Sequence, residues 1–274
     1  MDNYQKLTEA SAFLQPFVSS LKPKVAVILG SGLGNFVKDI VTEKEIPYSD
    51  IPHFPVSTVE GHHGKLIFGR IDGNPILAMA GRFHLYEGYS PAEVVFPIRI
   101  MKLLGIETLL ISNAAGGVDR KLKVGDLMII NDHISLSTIN PLIGKNDDRL
   151  GPRFPDMSEP YKKHLISKAK EIAKRLNISV FEGVYFGVTG PTFETRSEYK
   201  MIDVLGGDVV GMSTVAEVIA ANHIGLEVFA MSVITDVGIR EEDNIITHQE
   251  VLEAARAAEP NFSAIFRELI KQIA

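Results

Sequence analysis

Six short segments of this chain combine glycine with side chains able to hold an anion or a flat ring. In Gly81-Arg82-Phe83-His84-Leu85-Tyr86-Glu87-Gly88-Tyr89, Arg82 offers a guanidinium fork for an oxyanion, and Glu87 is spaced to orient His84. Alternation sets His84 and Tyr86 on one side if the preceding strand continues through them. Gly30-Ser31-Gly32-Leu33-Gly34 presents a hydroxyl and approachable amides where a phosphate could sit, and Gly61-His62-His63-Gly64 adds a possible anion donor. In Gly211-Met212-Ser213-Thr214 the serine could hold an anion at a helix start. Asn113-Ala114-Ala115-Gly116-Gly117 is small enough for a flat ligand to approach the backbone. Gly190-Pro191-Thr192-Phe193-Glu194-Thr195 sets an aromatic face beside a carboxylate, suited to stacking a heterocycle and bonding its edge.

Each segment also has a plain structural account: a glycine turn, a strand end whose charges satisfy one another, a helix cap, or close packing of helix on sheet. Other chemistries find less support. The dinucleotide spacing G-x-G-x-x-G fails because Asn35 stands where the last glycine belongs. There is no G-x-S-x-G elbow, and the eight histidines are scattered rather than set as H-E-x-x-H, so neither a serine hydrolase nor a metal site is expected. With no cysteine, thiolate metal sites and disulfides are excluded, which fits a reducing compartment and makes the cytoplasm the default expectation. A net charge of -6 argues against a nucleic-acid partner. No stretch approaches the ~18 apolar residues of a membrane span, and the first residues do not read as an export signal.

Something must bring these segments together, and the pattern between them supplies it. Apolar, β-branched runs within KVAVILG, PILAMAG, TLLISNA, GDLMIIND, VFEGVYFGV, DVVGM and EVFAMSVIT read as interior strands. Between them, Ser90 with Glu93, Thr195 with Glu198, Thr214 with Glu217 and Thr247 with Glu250 have the spacing of reciprocal helix caps, and Gly105 and Gly225 suit helix ends. This alternation predicts an α/β fold: one domain over residues 1–274, with a central mixed, largely parallel β-sheet flanked by helices. Four of the polar segments directly follow strands, where ligands bind in such sheets. The polar, Pro- and Gly-rich stretch from Ile139 to Pro160 is expected to be a long functional loop.

In chain order, LGSGLG, GRFHLYEGY, NAAGGV, RFPDMS, GPTFET, VGMSTVAEV and THQEVL resemble the trimeric purine nucleoside phosphorylases across nearly the whole chain. The resemblance implies a nucleoside phosphorylase-like fold, a homotrimer, no metal, no organic cofactor, and purine nucleoside and inorganic phosphate as ligands. It assigns Ser31, His62, Arg82, His84, Ala114 and Ser213 to phosphate, and Tyr86, Met212 and His248 to ribose. Phe154 in RFPDMS would reach into a neighbouring subunit's site. The base would lie among Ala114, Ala115, Gly116, Phe193, Val210, Gly211 and Thr235, with Glu194 at its N1 edge.

One position departs from the pattern. Members preferring 6-oxopurines usually carry Asn where this chain has Asp236. An amide can both accept from a protonated N7 and donate to O6, whereas an ionised carboxylate only accepts. Asp236 is therefore expected to assist the leaving base, with His84 and Glu194 as the other catalytic groups, and to extend an inosine and guanosine specificity towards adenosine. Glu194 pulls the other way, because a carboxylate pairs naturally with the N1 hydrogen of hypoxanthine or guanine. The competing readings are a 5'-methylthioadenosine phosphorylase, which His248 disfavours, a nucleoside hydrolase, which the anion-binding segments disfavour, and a non-catalytic nucleoside-binding protein.

Overall fold

The computed structural model describes residues 2–59, 63–238 and 246–274. Nine strands form one sheet: β1 (Val25–Leu29), β2 (Val41–Pro47), β3 (Lys65–Ile71), β4 (Asn74–Ala80), β5 (Thr108–Gly117), β6 (Leu127–Ile134), β7 (Phe181–Gly187), β8 (Val209–Gly211) and β9 (Glu227–Val237). Their spatial order is β2-β3-β4-β1-β5-β8-β7-β6-β9, and β9 also pairs with β5. That second pairing closes β5, β8, β7, β6 and β9 into a ring, from which β1, β4, β3 and β2 extend as an open wing. Strands β4, β1, β5 and β9 run parallel, as do β6, β7 and β8; the remaining pairings are antiparallel.

Helices cover the sheet: α1 (Asn3–Leu21), α2 (Pro91–Val94), α3 (Phe96–Leu103), α4 (Lys163–Arg175), α5 (Arg196–Leu205), α6 (Val215–His223) and α7 (His248–Ile273). All five residues of β1 are buried, which is why VAVIL reads as an unbroken apolar run. The expected reciprocal caps form at Ser90, Thr195 and Thr247. Gly105 and Gly225, both at positive φ, follow the C-caps of α3 and α6.

The cap expected of Thr214 and Glu217 does not form. Thr214 sits at φ 68 with no side-chain bond to the helix, and Glu217 is turned inward to Arg82. A buried guanidinium outcompetes a backbone amide for that carboxylate. The strand β2 was not among the sequence's interior candidates because it is a charged edge whose residues are almost all exposed, and β3, though largely buried, was missed because Gly69 and Arg70 interrupt its apolar run. Cross-strand pairs Lys65–Glu45 and Arg70–Glu43 hold it, and such charges also discourage pairing with another chain. Residues 135–162 contain neither helix nor strand, as expected of the Ile139 to Pro160 stretch. Among the described residues no helix is long and apolar enough to cross a membrane.

Register decides where the polar segments end up. Leu29 pairs with Ala80, Ile28 with Ile111, Ala114 with Val233 and Gly116 with Asp236. β1 and β4 thus end together near the level of Ser112, β5 and β9 run on side by side to Gly117 and Val237, and β8 brings Val210 beside Gly116 from the other direction.

Candidate active site

The turn after β1 is fixed from two sides. Gly32 has φ 76, and a Cβ there would lie 2.4 Å from the Cβ of Ala255 on α7, so only glycine lets the helix pack this close. Glu259, buried on the same helix, accepts from the Phe36 amide and the Asn35 side chain, both at 2.9 Å. Ser31 is held at the mouth of the cavity by these contacts, and Asn35, which broke the dinucleotide spacing, is part of the anchor.

After β4, Arg82 is 1% exposed and would be prohibitively costly without a counter-charge. Its Nε lies 3.2 Å from Oε1 of Glu217, and its Nη1 donates to Oγ of Ser213 at 3.0 Å. Asn113 donates to the Thr214 hydroxyl at 2.9 Å, and the Tyr185 hydroxyl accepts from the Ser213 amide at 3.2 Å. The arginine fork is therefore aimed from behind by a carboxylate, with serine beside it.

His84 does not lie on a continued strand. The chain leaves β4 at Ala80 and makes a short 3-10 turn over Leu85–Glu87, yet the His84 and Tyr86 rings stack, with centroids 4.6 Å apart and planes at 15°. The two face the same way, for a different reason from strand alternation. Glu87 Oε1 accepts from the His84 amide and meets Nδ1, each at 2.9 Å, while Thr58 donates to the other oxygen. Burial pushes the His84 imidazole below its usual range, and Glu87 opposes that shift. Burial alone would raise the Glu87 carboxyl, but hydrogen bonds from His84 and Thr58 outweigh it and hold the group down at about 2. Glu87 therefore contributes stability that is fully present above its ordinary value of 4.5 and is lost as pH falls towards about 2. The Glu87→Gln variant is expected to flatten the acid limb of the melting temperature across that window. It should also weaken, by about tenfold, binding of the phosphate that the sequence resemblance implies at His84, as removal of a residue orienting a ligand-binding histidine does. A phosphate titration at neutral pH and a melt series from pH 2 to 7 check both.

The whole cavity, lined from Ser31, Arg82 and His84 to Phe193 and Glu194, has a volume of about 470 Å³, within the usual range for a small-molecule site. Its walls include Ala114, Ala115 and Gly116 from β5, Val210 and Gly211 from β8, Met212, and Thr235 with Asp236 from β9. Phe193 and Glu194 close the far side, and His248, the first residue of α7, lines the cavity too. Asp236 is buried and accepts from the Thr235 hydroxyl at 3.1 Å and the Tyr199 hydroxyl at 3.3 Å. Burial pushes the Glu194 carboxyl up, and the Asp236 charge adds to that shift.

One cavity thus gathers Ser31, Arg82, His84, Tyr86, Ala114, Ser213 and the residues expected around the base. Two expected residues stand apart. His62 lies outside the described residues. Phe154 is 87% exposed on the loop after β6 and does not line this chain's own cavity. Three contributors escaped the sequence reading: Glu217, which looked like a cap; Thr58, which has no motif; and Tyr199. The last was within reach, because a cap at Thr195 puts Tyr199 on the first turn of α5, where a residue points back along the helix. Among the described residues no group of three His, Cys, Asp or Glu side chains could hold a metal.

Residues 24–271 match the model of the phosphorylase superfamily. The chain is 49% identical to purine nucleoside phosphorylase 1 of Geobacillus stearothermophilus, covering 99% of each, and 47% identical to purine nucleoside phosphorylase 1 of Bacillus subtilis, covering 97% of this chain and 98% of that one. Among solved structures it is similar to isoform 2 of purine nucleoside phosphorylase from Schistosoma mansoni in complex with cytosine and ribose-1-phosphate. The TM-score is 0.94 and the identity 44%, over 99% of this chain and 97% of that one. A Schistosoma mansoni purine nucleoside phosphorylase in complex with adenosine gives a TM-score of 0.92 at 40% identity, covering 98% of each.

Proposed function

The chain belongs to the purine nucleoside phosphorylase family and is a pentosyltransferase, and from that premise we propose that its cavity cleaves inosine, guanosine and, through Asp236, adenosine. The observation that carries this reading is the polarity of one cavity: buried Arg82 and His84 with Ser213 beside them at one end, and two carboxylates, Glu194 and Asp236, at the other. The first end suits an anion. The second suits the hydrogen-bonding edge of a purine, with Phe193 available to stack.

In this proposal phosphate is held by Ser31, His62, Arg82, His84, Ser213 and the Ala114 amide. Ribose lies against Tyr86 and Met212, with His248 at its 5'-hydroxyl. As the glycosidic bond stretches, the sugar gains oxocarbenium character and the base gains negative charge. The phosphate oxygens stabilise the first and hydrogen bonds at the base stabilise the second, both more strongly than in the ground state. Phosphate bonds to C1' from the face opposite the leaving base, giving inverted ribose 1-phosphate and the free purine; 2'-deoxyribonucleosides would react in the same way. Phosphate is a co-substrate, and neither metal nor organic cofactor has a role.

The whole chain would act as one domain and assemble as a homotrimer, placing Phe154 of one copy over the ribose of the next. Its exposure of 87%, on a loop that also exposes Leu136, Ile139 and Ile143, supports an apolar contact between copies there. A cytoplasmic place in purine salvage fits the reaction.

Initial rates with inosine, guanosine, adenosine and methylthioadenosine, each with and without phosphate, test the reading. Turnover that requires phosphate and yields ribose 1-phosphate is the expected result. Cleavage independent of phosphate, or none at all, overturns it.

A further inference from the structure

The fold buries a second arginine, and its surroundings differ from those of Arg82. Arg99 is 8% exposed, on α3, a helix packed between α1 and α6. Arg82 has Glu217 and Ser213. Among the described residues the Arg99 side chain makes neither an ion pair nor a hydrogen bond, and its Nε is shut off from solvent.

Arg99 lines a cavity of about 740 Å³, in the range of small-molecule sites. None of the residues around it also lines the cavity described above. The buried side is made by Arg99, by His223 at the end of α6, and by Pro141 and Leu150. The outer side is the loop from Ile143 to Arg149, with Asp2 and Asn3 at the start of α1.

The carboxylates on that outer side are already engaged. Both oxygens of Asp147 accept from the Arg149 guanidinium, at 2.7 and 2.6 Å. Asp2 caps α1 by accepting from the Gln5 amide at 2.7 Å and meets Arg149 at 3.4 Å. Asp148 is exposed and accepts from the Asn146 side chain at 2.7 Å. Arg149 itself lies 3.9 Å over the Tyr4 ring. Two cations of the cavity are therefore without a counter-charge among the described residues: Arg99 on the buried side and Lys145 on the exposed loop. Water screens the outer charges, but it does not screen a guanidinium beneath them.

A guanidinium cannot shed its proton, so at this depth its charge calls for an anion. We propose that this cavity is a second oxyanion site, separate from the one at Arg82, in which Arg99 holds phosphate or the phosphoryl group of a small ester. The planar fork offers parallel N–H donors to two oxygens of such a group. Lys145, on a flexible stem, adds a point charge from the loop. The cavity has room beyond a single phosphate, and Pro141 and Leu142 give the body of an ester an apolar wall. The proposal goes beyond nucleoside phosphorolysis and does not depend on it.

At saturation the stability of a protein rises with ln[phosphate] with a slope set by the number of phosphate ions that the folded chain binds and the unfolded chain does not. Unfolding free energies from denaturant melts, over a phosphate series at constant ionic strength, are compared for the wild type and Arg99→Met. The general stabilising effect of phosphate as a salt is common to both. The slope is expected to fall by one phosphate per chain in Arg99→Met, while kcat/KM for inosine at saturating phosphate stays at the wild-type value. Should Arg99→Met not fold, Lys145→Ala on the exposed loop is expected to raise the half-saturating phosphate concentration of the second site about threefold, the size of one exposed charge contact. An unmoved value there overturns the site. Equal slopes in the wild type and Arg99→Met also overturn it, and if that variant then sediments as a smaller species, the counter-charge is a carboxylate from a second copy of the chain. A wild type that cleaves no nucleoside, but loses one bound phosphate on Arg99→Met, overturns the phosphorolysis reading and supports this site.

Discussion

Replacing Arg82 with alanine is expected to lower kcat/KM for phosphorolysis by about 10²- to 10³-fold, the usual cost of removing a preorganised donor to a developing or transferring oxyanion. Two effects are mixed in that number. Arg82 and Glu217 are both buried, and their 3.2 Å contact is what makes either charge tolerable inside the fold. Deleting one leaves the other uncompensated, at a cost of about 3–5 kcal/mol in stability. The pair Arg82→Met with Glu217→Leu separates the two, because apolar residues of similar volume replace a buried ion pair at little cost. That double variant should melt near the wild-type temperature while remaining as impaired in phosphate use as Arg82→Ala. Recovery of activity along with stability would show that Arg82 serves the fold and not the phosphate.

The second large effect is one of specificity. Asp236→Asn should raise the inosine-to-adenosine ratio of kcat/KM by about 10- to 100-fold, corresponding to loss of a carboxylate that accepts from the 6-amino group and gain of an amide that donates to O6. Adenosine turnover should account for much of the change. The neighbours of Asp236 make the exchange mild for the fold: the Thr235 and Tyr199 hydroxyls can both still donate to the amide oxygen. Initial rates with both nucleosides at one pH are sufficient. A ratio that stays put, or moves towards adenosine, would detach Asp236 from recognition of the 6-substituent and leave Glu194 as the governing group.

These two expectations draw on different kinds of information. Arg82, His84 and Ser213 were legible as chemistry because their segments follow strands, where ligands bind in α/β sheets, and Phe193 with Glu194 because an aromatic ring stands beside a carboxylate. The strands themselves were legible as apolar β-branched runs, and the helices as capping pairs, because both are local patterns of a few residues. Even the departure at Asp236 was visible, since it is a matter of residue type at one position. What side-chain spacing could not convey was which carboxylate answers which cation. Glu217 has the spacing of a cap and becomes instead the counter-charge of Arg82, 135 residues away in sequence, because an ion pair inside a core outweighs a cap at its edge. Glu259 likewise looks like one more charge on a long helix until it is found holding the turn that carries Ser31. Tyr199 belongs to the same class: its hydroxyl finds its acceptor in Asp236, brought to it by β9. The chemistry available to this protein was written in short segments, because chemistry depends on residue type. The state of each group depends on burial and on partners brought from distant strands, and the closure of β9 onto β5 is what brought them within reach.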